Sequence, residues 1–165
     1  MTADWTLRIP TPADADALAQ LHRDTWRDTY TGMLSDELIA HYAEPGLRER
    51  QWREQLAEDA AGGASRTVVA ELDGRLVGLA RARRADEAEA PRPRSLDLLY
   101  TRAEVHGLGV GAALLDEVLG DAPAFLWVSE GNARALAFYR RRGFAPETPP
   151  VRRWHEPPFD VRLVR

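Results

Sequence analysis

Residues 96–112 read LDLLYTRAEVHGLGVGA. A β-prone run, Leu96 to Thr101, gives way to three glycines at 107, 109 and 111. These open a helix expected over Gly109 to Leu119, with Leu114, Leu115 and Val118 on its buried side and Gly120 as its stop. Unbonded backbone N–H groups at such a helix start, at the positive end of its dipole, form an anion site that suits a diphosphate. A Cβ there would hold phosphate oxygens away from those N–H groups. Taken alone, the loop is equally a flexible segment in which glycine breaks a helix. Gly107-x-Gly109-x-x-Ala112 also fits the dinucleotide fingerprint, with Glu130 about 20 residues on. Against that, Arg102 to His106 separate the glycines from the strand, and no second βαβ half follows.

Downstream, Phe125 to Val128 is a buried strand, and Asn132 to Arg142 is a helix ended by Gly143. A Pro-rich stretch, 146–158, then leads to a last strand, Phe159 to Val164, in which Phe159, Val161 and Leu163 alternate. Upstream, Arg75 to Ala82 and Thr67 to Leu72 flank Asp73-Gly74, a strong hairpin signal. The charged, Pro-containing segment 84–95 is expected to be an exposed, mobile loop. Near the N-terminus, Trp5 to Ile9 alternates as a half-buried strand. Thr11-Pro12 starts a helix with Asp14 and Asp16 in its first turn, running to about residue 27 on Leu18, Leu21, Thr25 and Trp26. Tyr30-Thr31-Gly32 breaks it. Ser35 caps a further helical stretch with Leu38, Ile39 and Tyr42, which Pro45-Gly46 interrupts and Leu47, Trp52 and Leu56 resume. The pattern is mixed α/β, without repeats, and one domain over 1–165 is expected.

Composition narrows the chemistry. There is no cysteine, which removes a disulfide framework, a thiol nucleophile and Cys-ligated metal sites. All 22 basic residues are arginine, so neither a Schiff-base nor a P-loop lysine exists. His22, His41, His106 and His155 show no ligand spacing, and no metal site is expected. The net charge of −4 offers no general attraction to nucleic acid. The absence of a long apolar run and of a signal-like N-terminus leads to the expectation of a cytoplasmic protein with no membrane partner.

The glycine loop, together with the segment W-V-S-E-G-N-A-R-A-L-A-F-Y-R-R-R-G-F over Trp127–Phe144, resembles the GNAT acetyltransferase superfamily. That family carries [QR]-x-x-G-x-[GA] after its fourth strand and N-x-x-A-x-x-x-Y-x-x-x-G-F on a later helix. The segment T-W-R-D-T-Y-T-G-M-L-S-D-E-L, Thr25–Leu38, is similar to a stretch that follows the first helix in many bacterial members. The resemblance implies a single-domain GNAT fold with a mixed central sheet of about six to seven strands and about four helices. It implies acetyl-CoA as co-substrate, with pantetheine along Leu99, Tyr100 and Thr101. The diphosphate would be wrapped by Gly107, Leu108, Gly109, Val110, Gly111 and Ala112, with Asn132 also at the cofactor. His106 stands where Gln or Arg is usual.

The same resemblance implies Tyr139 as the acid that protonates the departing thiolate. Seven residues separate it from Asn132, so both can lie on one helix face; a core aromatic beside Phe138 is the plain alternative. A glutamate used as base by some members is replaced by Trp127. Asp97, which strict alternation puts on one strand face with Leu99 and Thr101, is the candidate base, and Glu130 is read as solvated. Trp26, Tyr30 and Trp127 are candidates for the acceptor wall. Arg140, Arg141 and Arg142 suit a helix C-terminus. Acetyl transfer to a primary amine of a small molecule or peptide, by direct attack in a ternary complex, is the expected function. A non-catalytic acyl-CoA-binding module is the alternative from another class, and an NAD-binding fragment is a third. A homodimer paired through the final strand is the assembly the sequence allows.

Overall fold

The computed structural model describes residues 4–153 and 159–165, so His155 and the end of the Pro-rich stretch lie outside the described residues. At its centre, β2 (Ser65–Leu72) and β3 (Arg75–Arg84) form the expected hairpin. Asp73 and Gly74 turn it with φ of 51° and 74°, the positive pair that matches the strands' own twist. β1 (Thr6–Arg8) extends the sheet antiparallel beyond β2, and β4 (Arg94–Thr101) antiparallel beyond β3. β5 (Ala124–Ser129) runs parallel to β4, joined through the crossover helix α4 (Val110–Leu119). β8 (Asp160–Val164) lies antiparallel to β5. The two-residue strands β6 (Ala145–Pro146) and β7 (Arg152–Arg153) pair with its other edge, giving eight strands among the described residues.

Helices cover both faces. A single 3-10 turn, Pro12–Asp14, leads into α1 (Ala15–Tyr30), which continues three residues past the expected end. Ser35 caps α2 (Asp36–Tyr42), its Oγ accepting from Leu38 N–H at 3.3 Å. Gly46, at φ +85°, then starts α3 (Leu47–Ala60) as a separate helix. With α5 (Ala133–Arg141), five α-helices lie among the described residues. One core layer joins Leu18 and Leu21 of α1 and Trp52 and Leu56 of α3 to Val69, Leu76 and Leu79. The opposite layer joins Leu114 and Leu115 of α4 to Val68, Val77, Leu126 and Phe144, with Tyr139 from α5.

Three further expectations change. β4 begins at Arg94, so the exposed loop before it is shorter than expected, 85–93, and its ends meet at Ala85 N–H to Pro93 O, 2.9 Å. β6 and β7 are too short to leave a periodic signal. Because they occupy one edge of β8 and β5 the other, the final strand has no free edge for pairing between subunits. No helix of the described residues is long and apolar enough to cross a membrane.

Candidate active site between two diverging strands

β4 and β5 pair only at Arg94↔Ala124, Ser95↔Phe125 and Leu96↔Leu126. Beyond Leu96 they separate, while β4 stays paired to β3 as far as Thr101↔Gly78. The separation coincides with a bulge: Arg81 faces Leu98 and Ala82 faces Leu96, so Asp97 is the extra, unpaired residue. Bulges increase local twist, and here the turn carries β4 away from β5. A cleft of about 400 Å³ opens between them, lined by Leu98–Thr101, by Trp127–Ser129, by the glycine loop and by α5.

The floor of one end is the start of α4. Gly107 and Gly109 have φ of +81° and +83°, a backbone that L side chains resist, and open space surrounds both. The first intrahelical bond is Ala113 N–H to Gly109 O at 3.0 Å. The N–H groups of Val110, Gly111 and Ala112 thus lack helical acceptors, and no side chain caps them. All of the proposed glycine-loop residues line the cleft except Leu108, which is exposed outside it. His106 lies at the rim with Nε2 3.2 Å from the Thr101 carbonyl, and Arg134 of α5 packs against its ring nitrogens. Burial and then Arg134 lower the His106 pKa, opposed by the Thr101 carbonyl. Asn132 Oδ1 caps α5 by accepting from Ala135 N–H at 3.0 Å, while the residue also lines the cleft.

Further along, the cleft passes between side chains from opposite faces of the sheet. Tyr139 enters from the α4–α5 side, buried, with Phe138 and Phe144 edge-on at 5.2 and 5.8 Å. Tyr100 points the other way, against His22 of α1 at 5.3 Å. So the Tyr100 backbone borders the cleft, while its ring belongs to the α1 side. Tyr30 closes the gap at the end of α1. Burial, then Tyr30, raises the Tyr139 pKa; burial, then Tyr30 and Tyr139, raises that of Tyr100.

Asp97 lines the cleft too, but on an unexpected face. Leu96 and Leu99 both join the α4–α5 core layer, which strict alternation forbids and the bulge allows. Asp97 instead bonds Ser95 Oγ at 2.8 Å and pairs with Arg83 at 3.2 Å, on the face away from Leu99 and Thr101. Burial raises its pKa, opposed by Ser95 and Arg83. Trp127 lines the cleft from β5, with the Arg153 and Arg162 guanidiniums 4.8 and 5.5 Å from its ring. Trp26 does not line the cleft; its ring packs, tilted, against Tyr30 at 4.8 Å and Tyr42 at 5.0 Å.

The sequence reading passed over Arg134 and Phe138, which line the cleft beside Asn132 and Tyr139. Arg134 carried a readable signal: a cation in a helix's first turn opposes the dipole and asks for a partner. Arg141 and Arg142 line the cleft, whereas Arg140 does not. No group of three His, Asp or Glu able to hold a metal occurs among the described residues.

This arrangement has close parallels. A probable N-acetyltransferase of Mycobacterium tuberculosis is 27% identical over 142 residues, 84% of this chain and 78% of that protein. The spermidine N(1)-acetyltransferase of Thermoplasma acidophilum is 28% identical over 145 residues, 81% of this chain and 84% of that one. The PaiA N-acetyltransferase of Thermoplasma acidophilum, solved in complex with coenzyme A, superposes with a TM-score of 0.79 at 20% identity, covering 98% of each chain. The profile of the acetyltransferase (GNAT) family matches residues 16–144, and with the strands parting above an uncapped glycine loop, the chain belongs to that family.

Proposed function

We propose that the cleft holds acetyl-CoA with its diphosphate on Gly107–Ala112 and its pantetheine arm along Leu99, Tyr100 and Thr101, and that a primary amine attacks the thioester directly. The observation that carries this reading is the loss of β4–β5 pairing after Leu96, directly beside the uncapped start of α4. The protein is an acetyl-CoA-dependent N-acetyltransferase. An extended strand edge offers the amide groups of pantetheine the pairing that β5 no longer takes up. A β4 N–H facing the thioester oxygen would stabilise the developing oxyanion, worth about 3–4 kcal/mol when pre-organised. The Tyr139 hydroxyl, kept protonated by burial, supplies the proton to the departing thiolate. Asp97, directly or through a water, takes the proton released by the attacking amine. No cysteine is present to carry an acyl group, which favours transfer in a ternary complex.

The acceptor enters from the α1–α2 side, past Tyr30, Tyr100 and Trp127. Two carboxylates near this entrance are ion-paired, Asp97 with Arg83 and Asp160 with Arg153, and Tyr30 and Trp127 line it. An acceptor recognised by rings and hydroxyls is therefore the first candidate, ahead of a polycation. The test is thiol release from acetyl-CoA, with aromatic amines, amino acids, peptides and spermidine supplied one at a time. Free CoA should accumulate only with an amine present; saturable acetyl-CoA binding without release under any amine would mark a non-catalytic binding module. Asp97→Asn should lower kcat by roughly 10²–10⁴ and abolish the acid limb of its pH profile. That limb should lie above the ordinary aspartate value, because burial raises the Asp97 pKa. An unaltered profile would remove Asp97 from the reaction.

A further inference from the structure

We infer that Arg134, held in place by His106, is the fixed cation of the diphosphate subsite; the inference rests on the acetyl-CoA reading above. The glycine loop supplies backbone N–H groups and the α4 dipole but no formal charge. His106, at the position where the family motif usually has Gln or Arg, does not supply one at neutral pH either, since its pKa lies below the ordinary value.

Arg134 fills that role by geometry. It is the second residue of α5, at the positive end of the helix, where a cation is electrostatically disfavoured. Among the described residues no carboxylate lies within ion-pair distance to offset this. Asp28 lines the adjoining cavity with Arg134 and His106 but bonds to neither. Instead, Arg134 Nη1 packs against both ring nitrogens of His106, 2.7 Å from Nε2. His106 Nε2 in turn lies 3.2 Å from the Thr101 carbonyl. With Nε2–H donating to Thr101 O, Nδ1 is left as the one ring acceptor for Arg134, whose Nη1 also lies close against Nε2. A neutral imidazole thereby links the last residue of β4 to the first turn of α5 and keeps the guanidinium over the mouth of the cleft. Arg141 and Arg142 line the cleft from the last turn of α5 and the residue after it. Two helix starts, α4 and α5, and the Arg134 guanidinium, which has no carboxylate partner among the described residues, converge instead at the mouth. A dianionic group with several acceptor oxygens fits it, and the planar fork of arginine suits phosphate oxygens. His106 and Arg134 are both exposed and contribute nothing to either core layer, so their pairing is not explained by packing.

The test is calorimetric binding of CoA, 3′-dephospho-CoA and pantetheine to the wild type, Arg134→Ala, His106→Ala, His106→Gln and the Arg134→Ala/His106→Ala double variant. Arg134→Ala should weaken CoA and dephospho-CoA alike by roughly tenfold or more, as expected for a charge-assisted bond, and leave pantetheine unchanged. His106→Ala should weaken both nucleotides less and add little in the double variant, because it acts through Arg134. His106→Gln, which keeps a donor for Thr101 and an acceptor for Arg134, should restore binding. Unchanged CoA affinity in Arg134→Ala overturns the inference, as does an equal loss on pantetheine or a loss confined to CoA over dephospho-CoA. A wild type that binds pantetheine and CoA equally well overturns it too, while leaving the family reading intact. A wild type that binds none of the three overturns both.

Discussion

In the proposed reaction Tyr139 serves two demands. Its ring packs against Phe138 and Phe144 while the residue lines the cleft, and burial, then Tyr30, keeps its hydroxyl protonated. Tyr139→Phe keeps the ring and removes the proton. Its kcat should fall by roughly 10²–10⁴ while the Kd for acetyl-CoA stays unchanged, measured by steady-state kinetics and calorimetry; an unaltered kcat would return Tyr139 to the core alone. His22 answers a different demand. It packs against Tyr100 and Trp52, and burial, then Arg48, holds its pKa down at about 3. Below pH 6.5 the unfolded chain takes up a proton that the folded chain refuses until about pH 3. Stability should therefore fall with decreasing pH across that window, by up to roughly 1.4 kcal/mol per unit from this group. His22→Phe should flatten that part of the denaturation profile, and an unchanged slope would show that other groups set it.

At the scale of elements, α3 is tied to the central hairpin by a buried arginine. Arg81 of β3 donates to both Asp59 oxygens at 2.8 Å, to Thr67 Oγ1 at 2.9 Å and to Ser65 Oγ at 2.8 Å. Its side chain is 6% exposed. Removing the carboxylate by Asp59→Ala takes away the buried counter-charge and leaves only the exposed Glu58, 3.2 Å from Arg81 Nη2, which should cost up to about 3–5 kcal/mol in urea unfolding. Pairing Asp59→Leu with Arg81→Met should recover most of it; a double variant as unstable as the single would mean that packing, not charge, is what was lost. This tie also matters to the site, because β3 carries the partner edge against which β4 bulges at Asp97.

For the molecule as a whole, the two halves of the sheet share only three β4–β5 residue pairs before they part. A ligand seated in the gap bridges them and binds the folded state alone. Acetyl-CoA at 100 times its Kd should add about 2.7 kcal/mol and raise Tm by roughly 5–10 °C. NADH should leave Tm unchanged. A shift with NADH and none with acetyl-CoA would revive the dinucleotide reading of Gly107–Ala112.

What the sequence by itself determined is local. Asp73-Gly74, Gly107 and Gly109 announce backbone that few other residues adopt, so the hairpin turn and the glycine loop before α4 were legible one residue at a time, while the use of that loop was legible only from the resemblance. The apolar spacing of Leu18 and Leu21, and of Leu114, Leu115 and Val118, likewise sets helix faces through bonds that close within a turn. Tertiary pairing decided the rest. The bulge at Asp97 arises from how β4 meets β3, and it moved Asp97 to the face opposite the one alternation assigned. Trp26 packed against Tyr30 and Tyr42 instead of lining the cleft, and Arg153 and Arg162 settled over Trp127 from strands distant in the chain. β8 lost its free edge to β6 and β7, two residues each and invisible to any periodicity. Local conformational preference is written in neighbouring residues, whereas register and the direction of a cleft side chain depend on partners that only folding brings together.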